Sequence, residues 1–329
     1  MTIYDIASEA GVSISTVSRV LNNPDKVPAK TLEKVRAVIR KHNYTPNAMA
    51  RGLVSHSMKT IGILTSDIRN YHFACTAYTL ENLFFNWGYS VILCNTGNKS
   101  EKKRDYIHIL AEKKVDGIIL VGSVFTDIDI EPSVRQYLPN TPIVVANSSI
   151  SVPNVHYVLI DHTHGMDLAV QHLWEKGHRE IRFVNTSVTF NGKRKEQGFR
   201  QAMEKYGLPQ DKDSVLHSEF GLAGAGEVID RVLESQPATT ALIFADDNTA
   251  LCGIKRLRER GRAVPGDMAV IGYDNSDYSL YAEPQMTTID TKNEAFSTLV
   301  ANMLHDILHN KEVGTSVILT PDIVVRDST

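Results

Sequence analysis

The regular alternation of short apolar runs with amphipathic segments across residues 60–329 constrains the fold of this chain more than any other feature. Eight apolar runs are predicted to be strands, at Thr60–Leu64, Ser90–Cys94, Gly117–Val121, Ile143–Ala146, Tyr157–Ile160, Ile181–Val184, Ala241–Phe244 and Met268–Ile271. Segments with helical spacing separate them, at 74–87, 101–113, 163–176, 193–206, 223–235 and 248–260. Such alternation predicts right-handed parallel βαβ units in a doubly wound α/β fold. There are enough strands for two sheets, with a switch near Asp161.

The last third of the chain indicates that these two sheets are joined more than once. Extended runs at Thr287–Thr291 and Val317–Val325 flank a final helix at 294–309. Two lobes joined by several segments form a hinge around a cleft. We therefore expect one lobe from about 60–160 and 290–319, and a second from about 161–289 and 320–329.

The first 45 residues have a different pattern, typical of a small all-α unit. Thr2–Asn22 contains two short amphipathic segments around the turn Gly11-Val12-Ser13. The second segment buries Val17, Val20 and Leu21 and leaves Ser15, Thr16, Arg19 and Asn22 on its other face. A third segment, starting at Thr31, can close a three-helix core. This is the layout of a helix-turn-helix, whose second helix enters the DNA major groove.

Residues 46–59 connect the two regions, and two interpretations of them stay open. Asn47 is a suitable N-cap, and Ala48–Leu53 could make about two helical turns, which are marginal in isolation. The segment is either an ordinary interdomain linker or a hinge helix that folds in the minor groove. In the second case Leu53 would be a wedge between base steps.

Charge is distributed unevenly along the chain. The net charge is −3, which by itself argues against a nucleic-acid partner. Residues 1–59 carry nine Lys or Arg against four Asp or Glu, a net of +5, and the other residues carry 26 against 34, a net of −8. A basic end on an acidic body concentrates attraction for phosphates at that end.

Three further sequence features indicate the cellular compartment of the protein. No run of ~18 apolar residues is present, so no membrane span is expected. The N-terminus lacks a basic and then apolar leader, which favours the cytoplasm. Cys75, Cys94 and Cys252 are far apart and odd in number, as expected of small buried hydrophobes in a reducing compartment.

The motifs of catalysis and cofactor binding are weak. Gly221–Gly226 does not have the Gly-x-Gly-x-x-Gly spacing and is interpreted as a glycine-tolerant helix start. His162 and His164 have no partner at metal-ligand spacing, so they are interpreted as loop histidines. Asp246 and Asp247 are adjacent, which says nothing about an acid/base pair. We expect no enzyme activity, cofactor or metal.

Taken together, the motifs resemble those of the LacI/GalR family of bacterial transcriptional regulators, over the whole chain. The most specific are Thr2-Ile-Tyr-Asp-Ile-Ala, Gly11-Val-Ser-x-Ser-Thr-Val-Ser-Arg-Val-Leu-Asn22 and Tyr44-x-Pro-Asn-Ala-x-Ala-Arg-x-Leu53. The resemblance implies a cytoplasmic homodimeric repressor of carbohydrate metabolism genes on a near-palindromic double-stranded operator. It also implies a body like that of periplasmic sugar-binding proteins, with a small effector between the lobes.

Site residues follow from the resemblance by position. DNA contacts would come from Tyr4, Ile14, Ser15, Thr16, Ser18, Arg19, Asn22, Ala50, Arg51 and Leu53. Among these, Arg19 would read guanine, Tyr4 and Asn22 would touch phosphates, and the hinge-helix interpretation of Leu53 becomes the favoured one. Effector contacts would come from Phe73, Asn147, Lys195, Phe220, Asp246 and Asp274.

Three departures from the family pattern leave the effector open. Lys195 stands where sugar-binding members carry Arg, Asp246 where Asn is common, and His72 where an aromatic is common. An ammonium cannot make the bidentate fork of a guanidinium. The basic run 193–195 hints at an anionic effector, although Lys193 and Arg194 can equally be solvated residues at a helix start. A sugar, a sugar acid or a phosphosugar is expected.

The sequence also bears on the protein partners of this chain and on a competing class of function. Helix 294–309 contains no Lys or Arg, which disfavours a phosphorylated protein corepressor, and no leucine heptad tail follows it, which favours a dimer over a tetramer. The competing function is a solute-binding protein or a sugar-active enzyme without a DNA role. It would predict a secretion leader or a catalytic constellation, and the sequence offers neither.

Overall fold

The computed structural model describes residues 2–44, 57–126, 130–148, 150–152 and 154–329. The chain divides after Lys59 into two compact units. The predicted hinge lies largely in 45–56, outside the described residues.

The N-terminal unit contains three helices, α1 (Ile3–Ala10), α2 (Ile14–Asn22) and α3 (Ala29–Lys41), with a 3-10 turn at Pro24–Lys26. Its core consists of small and β-branched apolar side chains, Ile6, Ala7, Ala10, Val17, Val20, Val35 and Val38. Gly11 ends α1 with φ +56°, a left-handed conformation that favours glycine and makes the tight turn possible. The third helix begins at Ala29, two residues before the predicted Thr31. The prediction missed this first turn because its residues are exposed and show no apolar periodicity.

The second unit contains two six-stranded sheets, as the alternation predicts. Its strands are β1 (Thr60–Thr65), β2 (Ser90–Asn95), β3 (Gly117–Val121), β4 (Ile143–Ala146), β5 (Val155–Ile160), β6 (Ile181–Asn185), β7 (Val215–His217), β8 (Ala241–Phe244), β9 (Ala269–Tyr273), β10 (Thr287–Asp290), β11 (Ser316–Leu319) and β12 (Asp322–Val324). Sheet 1 has the order β11-β5-β4-β3-β1-β2, and sheet 2 has the order β12-β10-β9-β8-β6-β7. All pairs are parallel except β10 with β12.

Helices cover both faces of each sheet. They are α4 (Tyr71–Asn86), α5 (Ser100–Glu112), α6 (Ile130–Tyr137), α7 (His162–Glu175), α8 (Phe190–Lys205), α9 (Leu222–Ser235), α10 (Asp247–Glu259), α11 (Asp277–Tyr281) and α12 (Asn293–Leu308). On sheet 1, α4 and α12 pack in one apolar layer and α5 and α6 in another. On sheet 2, α7 and α8 share one layer and α9 and α10 the other. This is the two-lobed doubly wound fold expected from the sequence.

The chain crosses between the lobes three times, after β5, between β10 and α12, and between β11 and β12. The run predicted as Val317–Val325 is therefore two strands in different sheets. Thr320 and Pro321 separate them, and Pro321 has no N–H to continue a ladder. Three crossing segments keep the lobes adjacent and leave a cleft between them.

The sequence patterns missed three short elements, β7, α6 and α11. Each spans eight residues or fewer, which is too short for a period to stand out. Within the described ranges, no helix has the length and apolar character needed to cross a bilayer.

Candidate functional site

The first candidate site is the solvent face of α2. Ser13 caps the helix by accepting a hydrogen bond from the Thr16 backbone N–H at 3.2 Å, and its hydroxyl lies 2.8 Å from those of Ser15 and Thr16. The cap satisfies a backbone donor and holds these short polar side chains together at the helix N-terminus. Ser15 is exposed, and Thr16 and Ser18 are half-buried.

Arg19 is the cation of this face. It is exposed, and its guanidinium makes no side-chain hydrogen bond or ion pair with any described residue. Ile14 is 42% exposed at the start of α2, and Tyr4 is 67% exposed on α1. A free guanidinium beside short hydroxyls and one apolar group can bind phosphates or the edges of bases.

The remaining DNA-binding predictions cannot be placed in the same way. Asn22 is the last residue of α2. Ala50, Arg51 and Leu53 lie outside the described residues.

The second candidate site is a cavity of about 600 Å³ between the two lobes of the second unit, called the cleft below. Residues just after the carboxyl ends of parallel strands line it, Ser66 after β1, Gly122 after β3, Asn147 after β4, Asp246 after β8 and Asp274 after β9. Ligands of open α/β sheets bind at this edge, because loops from neighbouring strands converge there. All six predicted effector residues line the cleft, Phe73, Asn147, Lys195, Phe220, Asp246 and Asp274.

Lys195 lies on α8 and is 7% exposed. Its Nζ donates to the Ala245 carbonyl at 2.7 Å and lies 3.6 Å from the centre of the Tyr273 ring. Burial lowers the pKa of Lys195, while Asp274, Asp246 and Asp247 oppose the shift. The two preceding residues, Lys193 and Arg194, are exposed, as their interpretation as solvated residues requires.

The two carboxylates that lobe 2 contributes to the cleft differ in their partners. Asp246 caps α10 and accepts hydrogen bonds from the Thr249 N–H at 2.7 Å and from the Thr249 and Thr186 hydroxyls at 3.0 Å. Burial raises the pKa of Asp246. Asp274 has φ +100°, and from the described residues its side chain accepts one long hydrogen bond of 3.4 Å, from the Thr291 hydroxyl. Asp274 thus retains acceptor capacity toward the cleft.

Two aromatic side chains complete the predicted set. Phe73 is half-buried and lies against Gly122, whose φ is +112° and where an added Cβ would come 3.1 Å from the ring. Phe220 is 51% exposed. Together they offer apolar surface beside the polar groups.

His162 is the main residue that sequence reasoning missed. It is the first residue of α7 and 3% exposed, and His164 is also helical, so the loop interpretation is wrong for both. The Asn147 amide donates to His162 Nε2 at 3.1 Å, which leaves Nδ1–H to donate to the Tyr273 hydroxyl at 3.0 Å. Burial sets the pKa of His162 well below its ordinary value. Its position directly after strand β5 was the available signal.

Lobe 1 contributes a charged pair that the resemblance did not include. Arg69 Nε and Nη2 donate to the two carboxylate oxygens of Asp67 at 2.9 and 2.7 Å. These hydrogen bonds lower the pKa of Asp67 to about 2. Both residues line the cleft, and each neutralises the other.

Hydroxyl groups also join the lobes at the cleft. Ser123, after β3, lies 2.6 Å from the Thr189 hydroxyl at the start of α8, and Ser187 lies 2.7 Å from the same oxygen. A molecule in the cleft can therefore contact both lobes at once. No cluster of three metal-ligating side chains occurs in the part of the chain that the structure describes.

Both units of the chain match known protein families. Residues 2–47 match the model of bacterial regulatory proteins of the lacI family, and residues 170–329 match the periplasmic binding protein-like domain. An HTH-type transcriptional regulator of Lachnoclostridium phytofermentans is 33% identical over 331 residues, covering 100% of this chain and 99% of that protein.

Two solved structures are similar over the full chain. The lac repressor dimer bound to operator and the anti-inducer ONPF has a TM-score of 0.89 at 25% identity, covering 100% of this chain and 98% of that one. The complex of transcriptional regulator CelR with cellobiose has a TM-score of 0.75 at 28% identity, covering 100% of both chains. The helix-turn-helix, the two-lobed core and these matches together show that the chain belongs to the LacI family of bacterial transcriptional regulators.

Proposed function

We propose that this regulator is a homodimeric repressor of carbohydrate metabolism genes that binds a near-palindromic double-stranded operator and is controlled by a small saccharide in the cleft. The observation that carries the proposal is the polar cleft, to which both lobes contribute side chains. A ligand that contacts both lobes changes the balance between open and closed arrangements. A coupling of ~1–3 kcal/mol between cleft and operator is typical of such control.

DNA reading is assigned to the solvent face of α2. Arg19 is the candidate for a bidentate contact with guanine O6 and N7, because its guanidinium is exposed and uncommitted among the described residues. Ile14, Ser15, Thr16 and Ser18 are proposed to contact bases or phosphates beside it. Tyr4 and Asn22 are assigned to phosphates, and Ala50, Arg51 and Leu53 to a hinge helix in the minor groove.

Saccharide binding is supported by the chemistry of the cleft. Asp246 and Asp274 can accept hydrogen bonds from hydroxyls, and Lys195 and Asn147 can donate them. Phe220 can pack on the C–H face of a sugar ring. The cellobiose complex of CelR supports the same class of ligand.

Dimerisation is supported by exposed aromatic groups on α4. Tyr78 and Phe85 are 73% and 70% exposed and lie seven residues apart, on the same face of that helix. Lobe 2 adds Leu280 and Tyr281, which are 48% and 69% exposed on α11. Large exposed apolar groups of this kind mark protein interfaces. The lac repressor dimer supports the assignment.

The competing function, a solute-binding protein or a sugar-active enzyme without a DNA role, has less support. A relative that is 33% identical over the full chain is a transcriptional regulator. We propose that the chain acts without catalysis, in the cytoplasm where its DNA target lies.

A gel shift with the DNA upstream of the protein's own gene tests the function. At low salt the full chain should retard this DNA, and affinity should fall steeply as salt rises, because binding releases counterions from the phosphates. Adding a panel of sugars should change the retarded fraction for at least one of them. Absence of retardation at low salt, with and without sugars, would contradict the proposal.

A further inference from the structure

The charges that face the cleft do not favour an anion. Among the residues that the structure describes, five charged side chains line it, Asp67, Arg69, Lys195, Asp246 and Asp274. Asp67 and Arg69 form a bidentate pair and cancel. The remaining three are one cation and two carboxylates, a formal net charge of −1.

The histidines of the cleft do not alter this balance. His162 Nε2 accepts from the Asn147 amide at 3.1 Å, and His72 Nδ1 accepts from the Asn293 amide at 2.9 Å. A ring nitrogen that accepts a hydrogen bond carries no proton, so both rings are neutral. Burial lowers the pKa of both histidines, which also favours their neutral form.

The one cation of this charge balance, Lys195, already uses one of its three N–H donors within the protein. Its ammonium donates to the Ala245 carbonyl and lies over the electron-rich face of Tyr273. The neighbouring Lys193 and Arg194 do not line the cleft. Arg194 is exposed and lies over the Phe190 ring, 5.9 Å from its centre. Of the basic run 193–195, Lys195 alone therefore lines the ligand site.

Of the two lobe 2 carboxylates, Asp274 has the more acceptor capacity left. Among the described residues Asp246 has three donors, whereas Asp274 has one long hydrogen bond. No Lys or Arg among the described residues lies within ion-pair distance of Asp274. A bound anion would face this carboxylate, while a hydroxyl or an ammonium would donate to it.

We propose that the cleft selects an uncharged or amine-bearing saccharide, presented through a hydroxyl or amino group to Asp274, and rejects sugar acids and phosphosugars. The inference rests on the proposed function and specifies its ligand class. The volume of about 600 Å³ is in the middle of the range of ~300–1,000 Å³ for pockets that enclose drug-sized ligands, which leaves room for more than one sugar ring.

Matched triplets of sugars test the inference on the full chain. Each triplet holds a neutral sugar, its amino derivative and its uronic acid or phosphate, in the gluco, galacto and manno series as mono- and disaccharides. Thermal shift and titration calorimetry at pH 7.5 should show binding of a neutral or amino member. The acidic member of the same series should bind at least about tenfold more weakly. An acidic member that binds most tightly overturns the proposal, and so does a panel in which nothing binds.

Substitutions separate the effect of the Asp274 carboxylate from that of the basic residues Lys193 and Arg194. Asp274→Asn keeps the side-chain shape, and Asn tolerates positive φ, so the variant should fold and lose the discrimination against acidic members. Asp213 is an exposed carboxylate outside the cleft, so Asp213→Asn is the matched control and should leave the discrimination against acidic sugars unchanged. The double variant Lys193→Ala with Arg194→Ala should also leave every affinity unchanged. Selective loss of acidic ligands in that double variant would contradict the proposal.

The gel shift without added sugar is independent of this panel. If the protein retards its operator but prefers acidic sugars, only the ligand class is wrong. If it binds no operator, the regulatory function is wrong whatever the cleft binds.

Discussion

Asp246 and Asp247 are adjacent in the sequence, yet the start of α10 directs them to different surroundings. Asp246 lines the cleft and holds Thr186 and Thr249. Asp247 is 1% exposed and accepts from the Thr288 hydroxyl at 2.6 Å and from the N–H and hydroxyl of Ser276 at 2.7 and 2.9 Å. Asp247 thus joins α10 to β10 and to the loop before α11.

Asp247 should make stability depend on pH. Burial raises the pKa of Asp247 from 3.8 to about 7. Between these values the folded chain binds one proton more than the unfolded chain, so the free energy of unfolding decreases as pH rises and levels off above about 7. The shift corresponds to a contribution on the order of 4 kcal/mol at most.

Denaturant unfolding of the wild type and Asp247→Asn at pH 5 and pH 8 measures this contribution. The wild type should lose more stability than the variant over that interval, because the amide does not titrate. The other titratable groups are common to both proteins and cancel in the comparison. Equal losses in the two proteins would show that Asp247 does not carry the dependence.

Arg19 is the residue whose removal should alter base choice. Arg19→Ala should weaken operator binding by ~1–3 kcal/mol and relax specificity at one position of each half-site. Fluorescence anisotropy with operator and single-base variants measures both effects. Arg258→Ala, an exposed arginine on α10 in the other unit, is the control and should change neither. Unchanged affinity and specificity in Arg19→Ala would remove Arg19 from the reading face.

At the scale of elements, the packing of α7 against α8 depends on a glycine. A Cβ built at Gly198 would come 2.7 Å from the Thr163 Cα and 3.0 Å from its carbonyl oxygen. These are backbone atoms, so the helices would have to separate. The same pair of helices carries His162 and Lys195 into the cleft, so this close contact also positions the ligand site.

Gly198→Ala should therefore destabilise the second unit by ~1–3 kcal/mol, the usual cost of overpacking. Gly226→Ala on α9 is a matched control, because the described part of the chain places no atom outside the helix's own backbone within 4 Å of the added Cβ. It should be neutral or stabilise by ~0.5–1 kcal/mol, since alanine is the better helix former. Thermal unfolding of both variants gives the comparison. If the two substitutions had equal effects, the contact at Thr163 would not be limiting.

At the scale of the whole molecule, the exposed aromatic face of α4 should hold two copies together. Phe85→Glu places a charge in the proposed interface and should shift the protein toward the monomer in sedimentation velocity. Operator affinity should fall with it, because two linked reading heads bind more tightly than one. Tyr137→Glu is the control, since α6 packs on the opposite face of sheet 1. A Phe85→Glu protein that stays dimeric would exclude this face.

The architecture of this molecule was largely predictable from its sequence, because the periodicity of apolar residues records which face of each element is buried. The two sheets and the helix-turn-helix were found in this way, and the effector positions followed from the family resemblance. The DNA contacts and the ligand contacts stay predictions. The elements that periodicity missed, β7, α6 and α11, are too short to show a period.

Local spacing and composition were thus enough to predict the kind of each long element, the order of the elements and the basic character of the N-terminal unit. The contacts of each polar side chain in the cleft, in contrast, followed from the three-dimensional fold. It placed His162 against Asn147 and Tyr273, engaged Lys195 with the Ala245 carbonyl, and left Asp274 with one long hydrogen bond. The physical reason is that burial follows from local spacing, whereas partners and net charge at a site depend on which strand ends and helices the fold brings together.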